Sequence, residues 1–413
     1  MRRGPLSAVI VVCSAASLSA QVLSQRGFAE GRGEFYAQPA PNDPVQSTGD
    51  FLTREELFVK PLAWLQFAAG MDLRANSHDQ VEDAWRVDVS DRGILRPRLS
   101  LRRASTTVAY KRLTLDVGKQ FIRWGKTDLL NPTDRFAPRD FLNVVNPEFL
   151  PVLGVRASVQ ATRADAVEAV WLPRFTPSRV PLLGQRWTAP PSEASQVLIV
   201  DAGAEFPSGS QAGVRWSHIG GRAEYSLSFF DGFNHLPNVD ASVKPDTFVA
   251  EVDLKRRYPA IKSYGADIAM PTRWLTVKAE AAYFTSPEPR TDEYALYVIQ
   301  LERQTGEWVL IGGYAGEVVT RKRSLLAFAP DRGLADSFLG RASFTIDPNR
   351  SVAFEFAVRQ NLAGEYGKAE YSQTWGQHWR ATAAGVVISG DEDDFLGQYN
   401  HNSHVSLALR YSF

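Results

Sequence analysis

The final ten residues, His404 to Phe413, alternate without a break. Val405, Leu407, Leu409, Tyr411 and Phe413 fall on one parity, and Ser406, Ala408, Arg410 and Ser412 on the other. A period of two is the mark of a strand with one apolar and one polar face. The apolar row closes on two aromatic rings, as expected where a strand meets a lipid–water boundary. A soluble sandwich strand would share the alternation, so the rest of the chain must choose between lipid and core.

The same pattern recurs from residue 27 onward. Alternating runs flank short turns at Lys60-Pro61, at Tyr110-Lys111-Arg112, at Arg163-Ala164-Asp165 and at Gly220-Gly221. Residues 247–270 read as one long strand, and further runs continue to the C-terminus. The count is about 18, with 16 as the alternative, in the range of single-chain transmembrane barrels. Connections alternate short and long: residues 271–273 short, 285–291 longer, 304–305 short, 321–335 long, 347–350 short, 391–402 long. Counted back from the C-terminus, the short turns all fall at one end. Trp64, Trp274, Trp308, Trp375 and Trp379 sit within a few residues of these short turns, where a girdle of amphipathic rings belongs. The fold class is therefore an all-β, single antiparallel up-and-down transmembrane barrel.

Bulk properties agree. Lys plus Arg and Asp plus Glu are 46 each in 413 residues, which gives no basic field for nucleic acid. No apolar run beyond the N-terminus approaches the length of a membrane helix. Residues 1–20 read as a secretory signal peptide: Arg2 and Arg3, an apolar core over residues 6–16, then small residues, with cleavage near residues 17–21. Residues 21–413 form the single barrel domain. The one cysteine, Cys13, lies in the leader, so the mature chain is expected to have no disulfide and no thiol chemistry.

A barrel of about 18 strands encloses a lumen too wide for side chains to fill. Charges then belong inside and apolar side chains outside. On this rule Arg98, Arg102, Glu168 and Glu224 line the lumen, as do Glu251 and Asp253 on the long strand. Lys278, Glu280, Glu355, Arg359 and Arg410 complete the wall set.

Residues 118–151 break the alternation. Pro132, Pro138, Pro147 and Pro151 forbid a regular ladder. Arg123, Lys126, Asp128, Asp134, Arg135, Arg139 and Asp140 mix there with Trp124, Phe136, Phe141 and Phe149. A long irregular connection of this kind is functional or disordered, and the aromatics argue for order. Residues 124–152 are thus expected either to fold into the lumen as a constriction or to pack over the rim. Residues 171–187, with Pro173, Pro177 and Pro181, form a second such segment.

The runs GKQFIRWGKTDLLNPTDRFAPRDF, AVWLPRFTPSRVPL and SLSFFDGFNHLP resemble an uncharacterised group of Gram-negative porin-like outer-membrane proteins. The group is similar in style to alginate-export and other substrate-selective porins. The C-terminal strand likewise resembles the closing strand of bacterial outer-membrane barrels, which in that class carries the signal for the barrel assembly machinery. The resemblance implies an outer-membrane barrel with an Arg/Asp-rich inner segment, and it names no catalytic residue.

Other signals are weak. Gly125-Lys126-Thr127 lacks the earlier glycine of a phosphate loop. Asp391, Glu392, Asp393 and Asp394, with His401 and His404 nearby, read as a solvated loop rather than a metal site. No cofactor, metal or enzyme activity is expected. The leading expectation is a channel for passive or substrate-selective diffusion of small polar solutes. The alternative is a plugged barrel serving as export partner, adhesin or assembly component. Outer-membrane lipid, a small polar solute and a second copy of the chain are the expected partners.

Overall fold

Alternation that buries nothing on its own becomes stable when the sheet closes and every edge is paired. The computed structural model describes residues 22–188, 198–244, 251–323 and 328–413, and these show that closure. The signal peptide expected over residues 1–20 lies outside the described residues. The main sheet holds 19 strands, of which Val87–Asp88 is a two-residue parallel addition; the other 18 form the barrel. In chain order they are β1 (Leu23–Tyr36), β2 (Ser47–Leu62), β3 (Leu65–Asn76), β4 (Leu99–Tyr110), β5 (Leu113–Gln120) and β6 (Val152–Gln160). Next come β7 (Asp165–Leu172), β8 (Gln211–Gly220), β9 (Ala223–Phe233), β10 (Ala260–Pro271), β11 (Thr276–Thr285) and β12 (Glu293–Thr305). The last are β13 (Trp308–Arg321), β14 (Ser337–Asp347), β15 (Arg350–Arg359), β16 (Gly364–Trp375), β17 (Trp379–Gly390) and β18 (His404–Ser412). Each pairs antiparallel with its chain neighbour. β1 closes the ring on β18 in the register Phe28↔Ser412 to Tyr36↔His404.

The faces follow the alternation. Leu227, Leu407 and Phe354 point outward, with exposures of 56%, 54% and 50%. Ser226, Glu280 and Gln300 point inward and are buried. Trp64, Trp274, Trp308, Trp375 and Trp379 are all exposed near the short-turn end, forming the expected girdle. In barrels of this architecture that end is periplasmic and the long loops are external.

Residues 251–270, the described part of the strand expected over 247–270, do not form one strand. The chain is divided at Tyr258-Pro259, because Pro259 has no N–H to give to a ladder. Only Ala260–Pro271 enters the barrel, as β10. Glu251–Arg257 joins a separate three-stranded sheet, parallel to Leu198–Glu205 and antiparallel to Asn238–Lys244. Glu251 and Asp253 therefore belong to the loop region at the long-loop end and not to the lumen wall. The even strand number survives because this extra strand never joins the barrel.

β5, β6 and β7 are short, at 8, 9 and 8 residues. Above β5 the free edge of β4 is met instead by Val87–Asp88, in the register Val87↔Leu99 and Asp88↔Ser100. β4 also carries a bulge where the partners of Gly70 and Met71 jump from Arg103 to Leu101. A bulge turns two consecutive residues to one face. Arg102 and Arg103 accordingly both lie over the ring of Phe121, at 4.6 and 5.6 Å.

The two faces make a direct test. Leu407→Arg is expected to lower stability by about 2–4 kcal/mol in urea unfolding from lipid vesicles. Ser406→Arg, one residue away on the lumen face opposite Glu34, is expected to change it little. Equal costs at the two positions would contradict the assignment of faces.

Candidate functional site: the segment inside the barrel

At the end of β5 the chain leaves the wall. Gly118 has φ of 121°, and a Cβ there would strike the Ala104 carbonyl oxygen, so only glycine turns the strand at this point. Residues 121–151 then run across the interior. The prolines keep them out of any long ladder; they pair only briefly, Arg139–Asp140 with Glu148–Phe149 and Asp140 with Arg179 in a parallel bridge. Backbone groups buried in this way must find other partners.

On one side the partners come from the barrel wall. The Glu280 carboxylate of β11 accepts hydrogen bonds from the amides of Lys126 (2.9 Å), Thr127 (3.2 Å) and Thr133 (2.8 Å). It also accepts the hydroxyls of Thr127 (2.9 Å) and Thr133 (2.8 Å). Glu280 is 2% exposed, and a buried carboxylate is tolerable only when its oxygens are filled in this manner. Gln300 of β12 receives the Asp128 amide at 2.8 Å and donates to the Asp128 carboxylate at 2.6 Å. Lys278 pairs with Asp128 at 2.8 Å. Lys126 lies between Glu224 (3.4 Å) and Asp267 (3.6 Å), and Asp267 is paired with Arg215 at 2.7 Å. Trp124 donates to Glu168 at 2.5 Å and packs edge-on against Phe136, which does the same against Phe230. Asp134 accepts the Trp124 amide and pairs with Arg123 at 3.2 Å.

On the other side the partners are arginines. Arg54 of β2 grips Asp72 of β3 through two bonds of 2.7 and 2.8 Å. Arg74 reaches Glu148 at 2.8 Å. Asp140 is held by Arg96 (2.9 Å) and by Arg179 (3.2 Å), which also pairs with Asp91 at 3.0 Å. Burial opposes ionisation of Asp140, but Arg96 and Arg179 outweigh it and hold the carboxyl below its usual range. Arg179 belongs to residues 173–188, which cross the long-loop end. There Arg186 stacks on Tyr36 at 3.6 Å and donates to Asn402 at 3.3 Å, and Trp187 packs on Tyr399. The two irregular segments thus meet inside the molecule.

The sequence-predicted residues divide accordingly. Arg123, Lys126, Asp128, Asp134, Arg135, Arg139 and Asp140 are brought together with Glu168, Glu224, Lys278 and Glu280 on the interior. Arg102, Glu355 and Arg410 face the lumen from their strands. Arg359 lies at the end of β15 and ties the loops together through Asp394 (2.8 Å) and the Gly333 carbonyl. Arg98 is not a lumen residue. It precedes β4, pairs with exposed Asp83 and stacks on Trp85 in the outer loop. Missed by the sequence reading were Arg54, Asp72, Arg74, Arg103, Arg215, Asp267 and Gln300. All but Arg103 sit on the polar parity of recognised strands; the bulge alone hides Arg103.

Free space remains beside the segment, against β12 to β18 and β1. A cavity of about 490 Å³ and another of about 370 Å³ share Val145, Arg341 and Tyr366. The smaller is walled by paired charges: Arg410 with Glu30 (2.6 Å), Arg32 with Glu30 (3.0 Å) and Lys368 with Glu370 (3.0 Å). Arg341 faces Glu355 at 3.3 Å where the two cavities meet.

An 18-stranded transmembrane barrel with an inward-folded segment and a charge-lined space beside it has the architecture of porin-like outer-membrane proteins. The comparisons agree. A family model described as a protein of unknown function (DUF1302) matches residues 103–304, from β4 into β12. No curated protein shows significant sequence similarity to the chain. Among solved structures, OccAB4 of Acinetobacter baumannii is 9% identical with a TM-score of 0.54, over 94% of this chain and 97% of that one. A BenF-like porin of Pseudomonas fluorescens Pf-5 is also 9% identical with a TM-score of 0.54, over 95% and 97%. OpdK of Pseudomonas aeruginosa, solved with vanillate, is 10% identical with a TM-score of 0.50, over 94% and 98%. These likenesses establish the fold.

Two outcomes follow. Glu280→Ala removes the acceptor for three amides and two hydroxyls. Hydrogen exchange is expected to accelerate across residues 124–134 while circular dichroism retains the barrel signal; unchanged protection would show that the anchor lies elsewhere. His235, in the loop after β9, is buried, and burial together with the charges of Arg135 and Arg139 holds its pKa well below the usual imidazole value. An unfolded imidazole takes up its proton near pH ~6.5. The unfolded state then binds the extra proton, so stability is lost as the pH falls from there toward the folded pKa. Urea midpoints measured between neutral and mildly acid pH are expected to fall in the wild type and to flatten in His235→Gln. Equal slopes would contradict this.

Proposed function

We propose that the chain is a channel of the bacterial outer membrane that passes small polar solutes, with residues 121–151 setting its width. The observation that carries this reading is the anchored segment with charge-lined space left beside it. A segment fastened by buried ion pairs narrows a lumen without filling it. The remaining wall carries both signs in close pairs, which suits neutral polar solutes or solutes bearing both charges. The description of one fold relative as a BenF-like porin, and that of another as solved with vanillate, support a channel for small organic molecules. The C-terminal strand, ending at Phe413, is the surface the assembly machinery would read.

A second reading has its own observation. Residues 173–188 cross the long-loop end and are locked there by Arg179, Arg186 and Trp187. A mouth closed in this way would make the protein a plugged barrel acting through its loops.

Single-channel conductance in planar bilayers separates the two. The refolded mature chain is expected to show steady openings, and a variant lacking residues 126–144 larger ones. A silent wild type that conducts only after the deletion would overturn free diffusion and favour the plug.

A further inference from the structure

The larger cavity differs in kind from the smaller. Its wall is built by Leu296, Val309, Ile311 and Leu339, which point inward from β12, β13 and β14. Leu129 and Val144 of the inner segment face them. Leu296 and Leu339 are themselves buried, at 0% and 5% exposed, and with half-buried Val309 and Ile311 they give the cavity a continuous apolar side on which a ligand's apolar surface would leave water. A volume of about 490 Å³ lies within the range of pockets that enclose small molecules.

One end of this cavity is positively charged. Arg135 has a side chain only 5% exposed, yet its Nε and Nη1 have no hydrogen-bond partner. Its carboxylate neighbour, Asp331, stands off at 3.6 Å. Arg139 stacks on Phe149 at 4.6 Å; Asp134 and Asp331 favour its charge from nearby, but neither closes to an ion pair with it. The other acids of the lining are committed: Asp128 to Lys278, Asp134 to Arg123 and Glu355 to Arg341. Buried guanidinium donors left open cost desolvation energy, and an entering anion would recover it.

We propose that this cavity binds an amphipathic organic anion. Its head engages Arg135 and Arg139, and its aliphatic body, alicyclic or of medium chain length, lies against the wall of β12 to β14. Leucine, valine and isoleucine dominate that wall, which favours an aliphatic over a wholly polar solute. The inference goes beyond the channel reading, since it assigns the larger cavity an anion where the paired charges of the smaller suit neutral solutes or solutes bearing both charges, and it rests on that reading only for the route of entry.

Isothermal titration calorimetry on the refolded mature chain in detergent tests it, with cyclohexanecarboxylate as the probe. Cyclohexylmethanol tests the head and acetate tests the body; both are expected to bind at least about tenfold more weakly, the scale of one charge-assisted hydrogen bond. Arg139→Gln, which removes no existing ion pair, is expected to weaken the probe by about tenfold or more. Ile311→Asn should weaken it too, whereas Arg380→Gln, in the other cavity, should leave it unchanged. Equal affinity for acid and alcohol, indifference to Arg139→Gln, or no binding would each overturn the site. Conductance of the same preparation keeps the two readings apart. A conducting chain that does not bind the probe refutes the site alone; a chain that binds but never conducts refutes the channel.

Discussion

A single carboxylate, Glu280, governs how this barrel's interior is arranged. A ring of 18 strands leaves a space that wall side chains cannot fill. The chain places its own irregular segment there, and that segment brings unpaired amides with it. Glu280 collects three of those amides and two hydroxyls at one buried point. The neutral alternatives for the same position would leave amides orphaned, and a carboxylate without them would be an unpaired buried charge. Each requires the other, so wall and segment are specified together.

From that anchor the interior divides. On the side of β2 to β12 the segment is packed down, through Trp124, Phe136 and Phe230 and through the arginine pairs to Asp140 and Glu148. Toward β13 to β18 and β1 it stands off and leaves two adjoining spaces. One is walled by charge pairs and the other by aliphatic side chains with two under-used arginines. The narrowest chemistry a solute meets is thus set by residues from both wall and segment, with Val145, Arg341 and Tyr366 where the spaces meet.

Much of this was legible before any coordinates. The period-two runs and the alternation of short and long connections give the strand number and both faces, because each obeys a local rule. Tryptophans at one level gave the girdle for the same reason. What failed was non-local. Nothing in the pattern of residues 251–257 distinguishes a barrel strand from a strand of a small outer sheet; Tyr258-Pro259 marks the break but not where the first half goes. Arg98 follows lumen parity only if β4 begins earlier than it does. Arg103 is inverted by a bulge with no glycine to announce it. Pairings such as Glu280 with Thr127 and Thr133 join residues far apart in sequence, and no spacing rule reaches them.

Chemical accessibility of Val145 in a conducting membrane probes the central claim most directly. Cys13, in the expected leader, is the one cysteine of the sequence, so Val145→Cys in a chain expressed without residues 1–20 offers one thiol at the junction of the two spaces. With the inner segment bounding the path, a membrane-impermeant, bulky thiol reagent added to open channels should reduce the current sharply, and a reductant should restore it. Current that is unaffected by confirmed modification would mean that solutes do not pass this segment, and the account of a lumen narrowed by residues 121–151 would fail.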